Sequence, residues 1–419
     1  MAYDDSIYRR RDSDTTDPGM TGYRSEFPVG DFRDTDYADT AQRRPVPPAV
    51  LDDVFDDPAH GDPGRDRMAV HVVWEVLVLL AAAGVAFLLQ RFDGDAFEGA
   101  RLETLFVSAA ALGLLAVGTG LTLRAGAVNL ALGPVAVAAA LHFAENGDRG
   151  VATALGSAAL GALALGVVLG LFVAVLHVPG WAASLAAALV VIVFIQQRGA
   201  PVDVQGAYEP TDHAIIIFGG FAAVAVLGGL FGSIKAVRRA VGRFRPVADP
   251  ARRRGTVAAA LTAGLIALSM PMAAVAGVLI AAVGAGPVVP TTGFEWTGLA
   301  LGAALLAGTS AYGRRGGVFG TVLAVVLITL FIEYQAAREW DISVLATAAG
   351  AIVVGLLATR LVETFGRPKS AVTDTGWRGP TGGRTSPEIT DSWSATLPAQ
   401  STDGRNDQWD TERWRDNGR

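Results

Sequence analysis

Cysteine is absent from the 419 residues. That excludes disulfides, thiolate chemistry and cysteine-based metal sites. Lysine is nearly absent, with only Lys235 and Lys369, so arginine supplies almost all positive charge. There is no phosphate loop of the G-x-x-x-x-G-K-[ST] type; if ATP drives this protein, another chain binds it. There is no signal peptide either. The first 67 residues hold sixteen Asp/Glu against nine Arg and no apolar core segment, so the first apolar helix is expected to do the targeting. One further absence narrows function most. From Val70 to Leu361 no Asp, Glu, Lys or Arg lies near the middle of any long apolar run. Proton- and sodium-coupled carriers as a rule place an ionisable group at membrane depth, so its lack argues against ion-driven transport and against an ion channel. That lack points to a neutral or zwitterionic solute, with energy supplied elsewhere. Histidines 71, 142, 177 and 213 stand singly at the ends of apolar runs, so no metal site is expected. No catalytic residue and no cofactor are expected.

What remains is strongly apolar, with 51% hydrophobic residues and 50 glycines. Runs of about 20 apolar residues, one after another, suit a bilayer rather than a water-soluble core. The chain reads as an all-α membrane protein with about ten transmembrane helices near 70–89, 104–123, 126–143, 151–176, 181–196, 213–232, 257–283, 298–310, 317–334 and 342–361. Glu75 and Glu333 fall near helix ends, from which they are expected to reach the interface. The domain division is 1–67, an acidic tail; 68–366, the membrane domain; and 367–419, a second polar tail with eight charges of each sign. Both tails lack apolar runs and are read as disordered.

Charge sorts the gaps between runs. With the N-terminus in the cytoplasm, the inner gaps and the end of the last run hold Arg124, Lys235, Arg238, Arg239, Arg243, Arg245, Arg252, Arg253, Arg254, Arg314, Arg315 and Arg360, against only Asp249 and Glu363. The outer gaps hold thirteen carboxylates and five arginines. This is the positive-inside pattern, and it places both termini on the cytoplasmic side. Trp74, Trp181, Trp296 and Trp340 fall near run ends, as interfacial rings do.

Two stretches interrupt the helical pattern. In Gly126-Ala127-Val128-Asn129-Leu130-Ala131-Leu132-Gly133-Pro134, two glycines and a proline weaken the helix and an amide sits among apolar neighbours. Two readings stand: a kinked helix with Asn129 bonded to a neighbouring backbone, or a wall of a solute pathway. In the stretch from Gly308 to Thr321, five glycines surround Thr309, Ser310, Arg314 and Arg315. A packing seam with a cytoplasmic turn is the plain reading there, and a pathway element the other.

These stretches resemble a family, the integral-membrane permease subunits of ABC importers for ribose-type sugars, which are related to branched-chain amino acid permeases. Ala127-Val128-Asn129-Leu130-Ala131-Leu132-Gly133 is similar to the family's Gly-Ile-Asp-Leu-Ser-Val-Gly. Gly308-Thr309-Ser310 and Gly316-Gly317-Val318-Phe319-Gly320-Thr321 are similar to its Gly-Thr-Ser…Gly-Gly-x-Gly-Ser-Val-x-Gly-Thr element. Val178-Pro179-Gly180-Trp181-Ala182-Ala183-Ser184-Leu185 resembles its Val-Pro-(x)₃-Thr-Leu helix start, and Gly293-Phe294-Glu295-Trp296 its Gly-Tyr-Glu-Leu. The likeness runs over roughly residues 105–360. It implies a type II ABC importer permease-like fold, and a second permease subunit forming a homo- or heterodimer. It also implies a separate ATP-binding subunit, an extracytoplasmic solute-binding protein and a monosaccharide as solute, with a branched-chain amino acid or a nucleoside as the alternatives that related permeases allow. The expected pathway residues are Asn129, Gly133, Thr309 and Ser310, acting as neutral hydrogen-bonding and small-residue surface, and the expected location is a bacterial plasma membrane.

Two departures are visible. The family's Asp is Asn129 here. The family's ATPase coupling loop corresponds to Asp249, Pro250, Ala251 and Arg252, in a stretch with far more arginine. Residues 235–254 carry eight basic side chains and one acid, and suit anionic lipid headgroups or an ATPase; no nucleic-acid partner is expected, since the acidic N-terminal tail would compete. Trp377, Trp393, Trp409 and Trp414 in the C-terminal tail read as short recognition anchors or as drift. The second functional class is therefore a permease-derived membrane scaffold that no longer transports.

Overall fold

The computed structural model describes residues 68–234, 256–284, 286–311 and 318–366. These all belong to the first of two units, Met1–Arg367; the second, Pro368–Arg419, lies outside the described residues, as do the N-terminal tail and the basic loop with Asp249, Pro250, Ala251 and Arg252.

The described residues form ten α-helices: α1 (Met68–Phe92), α2 (Gly99–Arg124), α3 (Leu132–Asn146), α4 (Val151–Leu176), α5 (Gly180–Gln196), α6 (Ala214–Ser233), α7 (Thr256–Val283), α8 (Phe294–Leu306), α9 (Gly320–Ala337) and α10 (Val344–Gly366). Apart from one isolated antiparallel bridge, Val202–Val288, no sheet pairing occurs among them. Seven helices are long and apolar enough to cross a membrane: α1, α2, α4, α6, α7, α9 and α10. The other three are short. α3 has 15 residues, α5 has 17 and α8 has 13, so α8 rises only about 20 Å.

Burial sets the layers. The central apolar stretches of α2 and α7 are 61% and 56% buried, whereas those of α1 and α6 are only 17% buried. α2 and α7 are thus the axis, and α1 and α6 the periphery. The periphery turns bare hydrocarbon outward: Leu80 and Phe87 on α1, Val175 on α4, Val190 on α5, Ile215 and Ile216 on α6 and Leu357 on α10 are all more than half exposed. Water would penalise an apolar surface this large, whereas hydrocarbon leaves it at no cost. The molecule has the build of a multi-pass membrane protein.

Small residues let the axis pack tightly. Gly166 and Gly170, one turn apart on α4, lie on Ala267 and Ala263 of α7; a Cβ on Gly170 would meet the Ala263 carbonyl oxygen at 2.6 Å. Gly298 and Gly302 of α8 face Ala348 and Ala351 of α10 in the same way. In lipid, where burial of apolar surface gives helices no net attraction, such close backbone approach is the main source of packing energy.

Tryptophan divides into two groups. Trp181 and Trp340 are 57% and 44% exposed near helix ends, as interfacial rings are. Trp74 and Trp296 instead pack against the protein core.

Candidate functional site

Both interruptions begin with the same backbone device. α2 ends at Ala125, and Gly126 takes a left-handed conformation, φ 66°. The Gly126 N–H then donates to the Leu123 carbonyl at 2.9 Å and the Ala127 N–H to the Thr122 carbonyl at 3.0 Å. α8 ends at Ala307, and Gly308 has φ 86°. The Gly308 N–H donates to Leu305 at 2.9 Å and the Thr309 N–H to Ala304 at 3.1 Å. This is the Schellman stop, in which glycine supplies the positive φ and two orphan carbonyls are satisfied at once.

After the first stop the chain crosses the bundle interior as 126–131 and must satisfy its backbone there. Ser184 of α5 does part of this, donating to the Val128 carbonyl at 2.9 Å and accepting from the Leu130 N–H at 3.0 Å. Asn129 is 1% exposed. Its Nδ2 donates to Ser269 Oγ at 3.0 Å and its Oδ1 accepts from the Ala131 N–H at 3.1 Å. Ser269 lies mid-way along α7, so Asn129 sits at the middle of the bundle. Thr297 of α8 then joins the two short helices: its Oγ1 accepts from the Gly133 N–H at 3.0 Å and donates to the Leu130 carbonyl at 3.2 Å. Gly133 and Gly293 lie backbone to backbone. A Cβ on Gly133 would stand 2.0 Å from the Gly293 oxygen, and a Cβ on Gly293, φ 75°, 2.5 Å from the Gly133 oxygen. α3 and α8 therefore meet near their N-termini, and the side chains that satisfy the backbone there, Ser184, Asn129 and Thr297, are neutral.

The second interruption is held from outside. Residues 312–317 lie outside the described set, but both flanks are visible. Trp74 Nε1 donates to the Leu306 carbonyl at 2.8 Å. Glu75 Oε1 accepts from the Phe319 N–H at 2.7 Å and the Gly320 N–H at 3.0 Å. Adjacent residues of α1 thus cap the end of α8 and the start of α9. A carboxylate at a helix N-terminus also meets the positive end of the helix dipole. Glu75, half-buried, thus serves as a cap at the protein surface, a use its position in the sequence did not suggest. Gly320 packs so closely on α8 that a Cβ would stand 2.2 Å from the Ala307 oxygen.

Beside the α3–α8 junction lies a cavity of about 290 Å³. Its walls include Val137 and Ala140 of α3, Ile280 of α7, Val288 of the α7–α8 loop, and Glu295 and Trp296 of α8. The loop is fixed by paired backbone bonds between Val202 and Val288, at 2.9 and 2.8 Å. The loop carrying Val202 is anchored in turn by a bidentate ion pair from Arg198 to Glu145, at 2.6 and 2.9 Å, and by the Gln205 N–H donating to the Ala144 carbonyl. Thr291 donates to Glu295 Oε1 at 2.6 Å.

Of the four expected pathway residues, Asn129 and Gly133 share the junction. Thr309 and Ser310, 3% and 2% exposed, lie a full α8 length away beside the second stop. None of the four lines the cavity. Ser184, Ser269, Thr297 and the Trp74–Glu75 pair do structural work that the residue pattern did not single out. The available signals were Pro271, which breaks the hydrogen-bond ladder of α7 two residues after Ser269, and a carboxylate inside the first apolar run. Compared with known proteins, the chain matches no family model, no curated protein and no solved structure.

Proposed function

We propose that this chain is the membrane-spanning permease subunit of an ABC-type importer for a small neutral or zwitterionic solute. All ten helices would cross or enter the bilayer, with both termini cytoplasmic. The chain would pair with a second permease subunit and line half of a central path. An extracytoplasmic binding protein would deliver solute near 284–296, and a separate ATP-binding subunit would act through 235–255. The family resemblance favours a monosaccharide. One observation carries the reading: two short helices meet end to end inside the bundle, across backbone that only neutral groups satisfy. Irregular backbone at membrane depth persists where it is buried in protein or lines a wet path. Solute specificity and coupling would then reside in neutral hydrogen-bonding groups such as Asn129, and the driving force in another chain.

A second reading, a permease-derived scaffold, is favoured by one feature. The Asn129 amide is consumed by Ser269 and by the Ala131 N–H, as in a structural plug. Purification of the tagged full-length chain from its native membrane separates the two. Co-purification of an ATPase, with uptake that follows ATP and survives collapse of the membrane potential, is the importer's result. A chain that brings down no ATPase is the scaffold's. Uptake that fails with the potential and ignores ATP depletion would overturn both.

A further inference from the structure

We infer that the cavity beside α3 and α8 is a binding site for a small organic cation, a molecule with one ammonium group on a compact apolar body. The inference goes beyond the transport reading and stands whether or not the chain moves a solute.

The charge comes first. Glu295 lies in the first turn of α8, where the helix N-terminus stabilises its carboxylate. Oε1 accepts from Thr291, and no basic side chain is paired with Glu295 among the described residues. Its neighbours in the wall are apolar: Val137, Ala140, Ile280 and Val288. Glu295 is half-buried, and a carboxylate at a protein surface beside apolar walls still attracts a cation more strongly than one in bulk water, because the walls displace part of the competing solvent. Trp296 is the adjoining residue and lines the same cavity. An indole face beside a carboxylate is the pairing that holds ammonium groups, through charge on one side and the ring quadrupole on the other.

Size and polarity then select the ligand. About 290 Å³ lies at the lower edge of small-molecule sites, so the body must be compact. Thr291, Glu295 and the Trp296 indole are the polar side chains of the lining. A sugar brings a ring of hydroxyls, each costing roughly 1–3 kcal/mol if buried without a partner. Three polar side chains, two of them already bonded to each other, serve such a ring less well than a single ammonium. One ammonium can give its N–H groups to the carboxylate and the Thr291 oxygen, with water at the open mouth taking the rest, and a hydrocarbon remainder asks for no partner.

The test uses the purified full-length chain in detergent with n-butylammonium as probe, and 1-butanol and ribose as controls, followed by calorimetric titration. One-to-one binding of butylammonium is expected, with no heat from butanol or ribose. Glu295→Gln should weaken binding about tenfold, the scale of one charge contact near a protein surface. Ala140→Leu, which fills the cavity from α3 and leaves the carboxylate in place, should abolish it even if Glu295→Gln fails to fold. No binding to the parent chain, undiminished binding by Ala140→Leu, or ribose competing with butylammonium would each overturn the proposal.

Discussion

The interruptions after α2 and after α8 start alike and are completed differently. Each opens with a glycine at positive φ and the same pair of backbone bonds. Past that point the first is filled from within: Ser184 and Thr297 supply neutral oxygens to the backbone around Asn129, and Ser269 accepts from the Asn129 side-chain amide. The second is capped from the periphery by an indole N–H and a carboxylate on α1, a helix otherwise turned outward. The contrast follows from depth. A carboxylate at mid-bundle would carry a large desolvation cost, whereas one about two turns from the start of α1 sits near polar surroundings and can serve as a strong cap. Neutral groups hold the middle, and charge is used only near an end.

Substitutions can break this contrast or sharpen it. The largest effect is expected at Gly133→Ala. The new methyl would overlap the Gly293 oxygen and force α3 and α8 apart, at about 3 kcal/mol or more, read as loss of folded protein in a detergent denaturation series. Next is Glu75→Ala, which strands the N–H groups of Phe319 and Gly320 for about 2–3 kcal/mol; Glu75→Gln keeps an acceptor and should recover about half of that in the same measurement. Asn129→Leu removes the acceptor for the Ala131 N–H and should cost about 2 kcal/mol. Glu75→Ala and Asn129→Leu share no partner, so the double variant should lose the sum; strong coupling would show that the two interruptions act as one unit. Trp74→Phe keeps the ring but leaves the Leu306 carbonyl without its donor, a loss of about 1 kcal/mol by thermal melting.

The smallest effect is expected at the exposed pair between Arg101 and Asp93, at 2.5 and 2.9 Å, which touches neither interruption. The Arg101 guanidinium holds the Asp93 carboxyl below the ordinary carboxylate range. The folded state thus favours the charged form, so any stabilisation is complete above the unfolded carboxylate's titration and fades as pH falls through the depressed value. Arg101→Ala should therefore leave the melting temperature almost unchanged at neutral pH and unchanged in acid.

Much of the helical frame was legible in the residues. Apolar runs near 151–176 and 257–283 stand within a residue of α4 and α7, because a run of that length with no charge has few alternatives to a helix in lipid. Both interruptions were legible from glycine and proline. The start of α8 was less so. The apolar pattern begins near 298, yet the helix starts at Phe294, where Glu295 tolerates the dipole's positive end and Trp296 packs inward. Asn129 drew notice as an amide among apolar neighbours, but its partner Ser269 is 140 residues away. Glu75 was visible as a carboxylate in the first run, yet the backbone it caps is 244 residues distant, so its position alone suggested only the interface.

Composition and order by themselves determined a helical chain suited to a bilayer, neutral through its middle and broken at two glycine-marked points. These are local properties: each follows from a run of side chains and the solvent that run can tolerate. Which hydroxyl meets which freed backbone group, which peripheral carboxylate caps which helix, and that Glu295 and Trp296 share a cavity were decided by tertiary structure. Those matches join residues far apart in the chain, and helix packing alone sets the distances between them.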